Sequence, residues 1–247
     1  MAMKTISFRK LTAIMDIKSR TLFSKNFIIM PIFSLGFTFL MRVLYKSILG
    51  EAAGTMTAYA LSIGVLMNIC MSGVYCVAAS LAEEKEKHTL RTLMTSSVNG
   101  LEFFLGSLIP AILMMMFVNI ACVFLSGFSM NPAQWAGYLF ISTACSIAGA
   151  IIGMIFGIFS KNQMSAGTAT TPVLLIFMMI PMFSQLNDTL GTISGFLFTG
   201  ILFDAISNIG RQTALLSIRS GVILTAEILL TVILFLMLYK KNGFDAD

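Results

Sequence analysis

"LEFFLGSLIPAILMMMFVNIACVFLSG", residues 101–127, contains a single ionisable side chain, Glu102. An α-helix rises about 1.5 Å per residue, so about 20 apolar residues carry it across a hydrocarbon layer of roughly 30 Å. This run is long enough to do so, and it lacks the apolar–polar alternation of a membrane β-strand. Comparable runs recur at about 27–45, 56–81, 134–159, 166–183 and 221–239. Composition agrees: 57% of the 247 residues are hydrophobic and 11% are charged, against about 25% charged in a soluble domain. The mean hydropathy of +0.90 is more than one globular core absorbs. The expected fold class is an all-α integral membrane protein with six spans, forming one membrane domain over residues 1–247.

The segments between the runs suggest how they are arranged. Residues 5–26 are too polar to span, yet Phe8, Leu11, Ile14, Met15 and Leu22 fall in one helical stripe while Arg9, Asp16 and Arg20 face away. That pattern predicts an N-terminal helix lying in the membrane interface. It lacks the short apolar core and cleavage site of a signal peptide, so it is expected to be retained. Asn131-Pro132 in "FSMNPAQW" predicts a tight turn, with Trp135 and Tyr138 at the level where interfacial aromatics are favoured. With the N-terminus in the cytoplasm, twelve of the 16 Lys and Arg residues fall inside, leaving Arg42, Lys46, Arg211 and Arg219 outside. The positive-inside bias therefore puts both termini in the cytoplasm. It also accounts for the net charge of +5 without nucleic acid.

Residues 185–219 read in two ways. "TLGTISGFLFTGILFDAI" is either a seventh span or a pair of half-helices dipping back into the outer leaflet, and charge counting gives twelve against four either way. Gly191, Gly195, Gly200 and Asp204 make a poor lipid-facing helix, which favours the re-entrant form.

The chain offers little chemistry of its own. It contains no G-x-x-x-x-G-K-[ST] phosphate loop, no G-x-S-x-G elbow and one histidine, His88, so no catalytic or metal-ligating set is expected. Cys70, Cys76, Cys122 and Cys145 fall inside apolar runs with no C-x-x-C pair, as buried free thiols do. Within the spans, Glu227 is a functional-site candidate by its depth, unless it snorkels outward or pairs with Arg219. Asn68 and Asn119 are mid-span amides of the kind that bridge helices. Gly149, Gly153 and Gly157 recur every four residues on one face, a surface for close helix packing within the chain or across a dimer.

The most polar run is "AEEKEKHTLRTLMTSSVNGLEFF", residues 82–104. Glu83 and Lys87 are spaced i,i+4, and Leu90, Leu93 and Met94 make an apolar face, which predicts a short amphipathic cytoplasmic helix over 83–98 or a solvated connector. The longer stretch "EEKEKHTLRTLMTSSVNGLEFFLGSLIP" resembles the ABC-2 type permeases, membrane subunits of ATP-driven exporters. It has an E-K-E cluster, a T-L-x-x-L core, a small-residue turn, an acid and L-G-x-x-x-P leading into the next helix. His88 stands where glycine is common in that family, and Ser97 where proline is common.

The resemblance implies that residues 83–98 are a coupling helix docking on a separate ATPase subunit. Glu83, Glu84, Lys85 and Glu86 would act as charged anchors and Leu90, Leu93 and Met94 as an apolar plug. It further implies a second permease chain, identical or related, with ATP and Mg bound by the partner ATPase, in a bacterial cell membrane. The cargo expected by weak analogy is an amphipathic peptide or a lipophilic drug. A channel or secondary transporter, or a membrane scaffold or sensor subunit, is the alternative.

Overall fold

The computed structural model describes residues 7–50, 56–87, 100–211, 213 and 215–242, and no strand occurs among them. A first helix, α1 (Phe8–Leu22), precedes α2 (Lys25–Leu49), α3 (Thr57–Glu86), α4 (Gly100–Ser126), α5 (Pro132–Phe159) and α6 (Gln163–Phe183). Two short helices follow, α7 (Asp188–Ser194) and α8 (Phe198–Gly210), and then α9 (Ile218–Asn242). Six of these helices are long and apolar enough to cross a membrane: α2 to α6 and α9.

Local chemistry sets several helix ends. Asn131-Pro132, a breaker in the sequence, starts α5: Asn131 Oδ1 accepts the Gln134 N–H at 2.9 Å, Gln134 Oε1 accepts the Asn131 N–H at 2.9 Å, and proline occupies the first turn. Asn162 and Ser165 make the same reciprocal cap at the start of α6. Gly127 turns the chain out of α4 with φ +70°, a conformation that favours glycine.

The end of α2, the start of α3 and the α4–α5 connection lie at one end of the bundle. The α5–α6 turn and α1 lie at the other. At the first of these ends, Tyr59 donates from its hydroxyl to the Met182 carbonyl near the end of α6, and Gly210 at the end of α8 abuts Ala58 and Phe128. The segment holding α7 and α8, bent by 107° at their junction, thus starts and finishes at the same end of the bundle. At the α1 end, Phe104 of α4 stacks on Phe235 of α9 with ring centroids 4.5 Å apart.

α3 is the central helix, buried along almost its whole length, whereas α2, α6 and α9 bury little. Their outer faces present Phe33, Phe39, Leu175, Leu230 and Met237, apolar surface suited to lipid. The core of α3 opens into a π-helical stretch, Ile69–Cys76, and α5 packs on it through the glycine stripe. A Cβ on Gly149 would come within 2.9 Å of Ile69 Cγ2. One on Gly153 would lie 2.5 and 2.6 Å from the Gly73 and Val74 carbonyl oxygens, and one on Gly157 2.9 Å from Leu81 Cβ. The stripe therefore faces α3 of the same chain. At Gly153 the obstructing atoms are backbone and cannot rotate aside. Gly153→Ala is accordingly expected to destabilise the chain by about 1–3 kcal/mol. Gly167→Ala, whose methyl meets only Tyr75 at 3.5 Å, is expected to leave the thermal midpoint in detergent unchanged.

The mid-span amides form a polar spine beside this contact. Asn68 Nδ2 donates to Asn119 Oδ1 at 2.8 Å and to the Met115 carbonyl at 3.0 Å, and Ser72 Oγ donates to Asn68 Oδ1 at 3.0 Å. Asn119 Nδ2 reaches Ser146 Oγ at 3.4 Å, and the Tyr138 hydroxyl donates to the Asn119 carbonyl at 2.8 Å. These bonds tie α3, α4 and α5 together where no water competes.

Candidate coupling site

Among the described residues the buried charged side chains, Lys18, Glu84 and Glu102, gather at the α1 end, where α3 finishes. Ile14, Lys18 and Leu22 are the buried residues of α1, spaced four apart on one face, while Phe8 is exposed. α1 lies along α4, and the fit is close: a Cβ on Gly106 would sit 2.7 Å from Ile14 Cγ2. Lys18 therefore enters the packed interior. Its Nζ lies 2.6 Å from Glu84 Oε2, with the two side chains 4% and 9% exposed, and 4.8 Å from the centre of the Phe103 ring. In the first turn of α4, Glu102 Oε1 accepts the Ser7 N–H at 2.7 Å, clipping the entry to α1 onto the start of α4. A cavity lined by Lys18, Ser80 and Ser107 has room for about one water molecule.

Glu84, Lys85 and Glu86 point in three directions, because successive helical residues turn by about 100°. Glu84 meets α1. Lys85 Nζ donates to the Ile158 carbonyl and, at 3.4 Å, to the Ser160 carbonyl, the free acceptors at the end of α5. Glu86 Oε2 accepts the Gln163 N–H at 3.2 Å, at the start of α6. A cation at a helix C-terminus and an anion at an N-terminus both match the helix dipole. One turn of α3 thus grips three other helices. Glu83 accepts a hydrogen bond from Lys87, and that bond raises the Lys87 pKa.

The expected helix over 83–98 does not begin at Glu83. No breaker separates Leu81 from Glu86, so α3 continues through Glu86 and ends at Lys87, and the side chains of Glu84, Lys85 and Glu86 are engaged within their own chain. Leu90, Leu93 and Met94 lie outside the described residues, as do His88 and Ser97. Lys18 did not stand out in the sequence, although its place midway between Ile14 and Leu22, on the apolar stripe, is the signal that marks it.

The other intramembrane candidate sits far from this cluster. Glu227 of α9 is half-buried, and its Oε2 is enclosed without a hydrogen-bond partner among the described residues. Arg219 lies over the Phe196 ring at 5.1 Å, and no ion pair joins it to Glu227 among the described residues.

Comparison with curated proteins gives no match. A protein-family model described as "ABC-2 family transporter protein" matches residues 42–239, which takes in every long helix from the end of α2 to α9. The chain therefore belongs to the ABC-2 transporter family, as a membrane-embedded permease subunit of an ABC transporter.

Proposed function

We propose that this chain is the permease half of an exporter in a bacterial cell membrane, working as a pair with two separate ATPase chains that bind ATP and Mg. The α1 end faces the cytoplasm, which places the Lys- and Arg-rich segments inside. α7 and α8 then form a re-entrant hairpin in the outer leaflet. Residues 88–98 dock on the ATPase through Leu90, Leu93 and Met94, and ATP-driven closure of the two ATPases displaces that segment.

The observation that carries this reading is the last turn of α3. Glu84 to α1, Lys85 to the end of α5 and Glu86 to the start of α6 make one rigid node out of the helix ends next to the docking segment. A push there is delivered to four helices together. In this arrangement Glu84, Lys85 and Glu86 transmit the motion, and the apolar residues beyond them make the contact. Among the described residues the outer face carries no large domain, which suits an amphipathic peptide or a lipophilic drug leaving between two permeases.

Inside-out vesicles holding the permease and its ATPase are expected to accumulate a fluorescent amphipathic peptide with ATP and not with a non-hydrolysable analogue. Equal flux without nucleotide would establish a channel or a secondary transporter instead.

A further inference from the structure

α1, α3, α4 and α5 meet around the cavity beside the Lys18–Glu84 pair, which has room for about one water molecule. Its polar walls are Lys18 of α1, Ser80 of α3 and Ser107 of α4; Met154 of α5 and further apolar side chains close it. Gly106 explains the junction, since a Cβ there would meet Ile14 Cγ2 at 2.7 Å and hold α1 off α4. The next residue, Ser107, is buried and lines the cavity.

The three polar groups have complementary needs. Ser107 Oγ is buried with no hydrogen-bond partner among the described residues, and a hydroxyl left so bears the full cost of its desolvation. Ser80 Oγ donates to the Val77 carbonyl at 3.0 Å, which leaves its lone pairs to accept. An ammonium carries three donors, and Lys18 Nζ uses one on Glu84 Oε2 at 2.6 Å. A water molecule fits a site of this size with two to four polar partners. An anion is not favoured, because Glu84 already matches the charge of Lys18.

We propose that one ordered water occupies this cavity, accepting from Lys18 Nζ and Ser107 Oγ and donating to Ser80 Oγ. α4 is thereby joined to the last turn of α3, whose Glu84, Lys85 and Glu86 already hold α1, α5 and α6. The site needs neither ATP nor cargo, so it stands apart from the export reading.

Thermal midpoints of the full-length permease in detergent test the water against a dry cavity. Removing a buried hydroxyl that has no partner is neutral or stabilising, so a dry cavity predicts an unchanged or higher midpoint for Ser107→Ala. The water site predicts a midpoint about 2–4 °C lower, the shift from losing one hydrogen bond in a chain of this size. In the paired Lys18→Leu, Glu84→Leu background the ammonium that holds the water is gone. There Ser107→Ala is expected to change the midpoint by less than about 1 °C. An unchanged midpoint for Ser107→Ala alone, or an equal fall in both backgrounds, would overturn the proposal. So would a wild-type midpoint that depends on chloride, with gluconate as the replacement, and loses that dependence in Ser107→Ala, because it would assign an anion to the site. If the paired leucine variant fails to accumulate, a cryo-electron microscopy map of the wild-type complex that resolves ordered water decides the matter. A peak in contact with Lys18 Nζ and Ser107 Oγ is expected, and no peak there in a map that shows other buried waters contradicts it.

Discussion

Replacing Lys18 with leucine is expected to destabilise the permease by about 3–5 kcal/mol, the cost of removing one partner from a buried ion pair. Lys18 and Glu84 are both almost fully buried and lie 2.6 Å apart, so the variant removes the cation that faces a buried carboxylate. At about 2–4 °C per kcal/mol for a chain of this size, the thermal midpoint in detergent falls by roughly 10 °C. The paired replacement Lys18→Leu with Glu84→Leu removes both charges and fills similar volume, so it is expected to recover most of the loss. A double variant no more stable than the single one, or a single variant as stable as wild type, would show that the pair does not hold α1 to α3.

Leu93→Asp is expected to act at the opposite level. Leu93 lies in the sequence following α3, where its spacing from Leu90 and Met94 predicts an apolar helical face. A carboxylate placed at the centre of an apolar contact is desolvated without a partner, and central anchors carry most of an interface's energy. ATP-driven export is expected to fall by at least ~10-fold, the scale of losing one such anchor, while the thermal midpoint of the permease stays at the wild-type value. Lys18→Leu lowers export through the amount of folded chain, and Leu93→Asp lowers it at constant folded chain. A Leu93→Asp permease that exports normally would remove the apolar face from the ATPase contact.

Hydropathy carried the six long helices because each needs only its own run of side chains, and a helix of about 20 apolar residues has one place to go. What could not be read were pairings set by distant helix ends. Lys85 is used by carbonyls at 158 and 160, and Glu86 by an N–H at 163. No local pattern around residue 85 announces that α5 ends and α6 begins beside it, so an acidic-basic cluster reads as a surface for another protein. Lys18 is the converse case: its register was visible, but a lysine on an apolar stripe has meaning only once Glu84 is found opposite. The depth of Glu227 was legible, and the glycines of 191–200 suggested a break, whereas the 107° angle between α7 and α8 is set by packing that no local pattern specifies. For Asn68 and Asn119 the chemistry was enough, since an amide in an apolar interior needs a partner on a neighbouring helix.

The central claim is that work from ATP enters this chain through the segment following α3. The most direct test is the amount of ATPase retained by the tagged full-length chain after solubilisation of native membranes, wild type against Leu93→Asp. The account predicts a Walker-motif ATPase present in equal amount on the wild-type chain and lost from the variant. A wild-type chain that purifies without an ATPase, or a Leu93→Asp chain that holds as much as wild type, would contradict it.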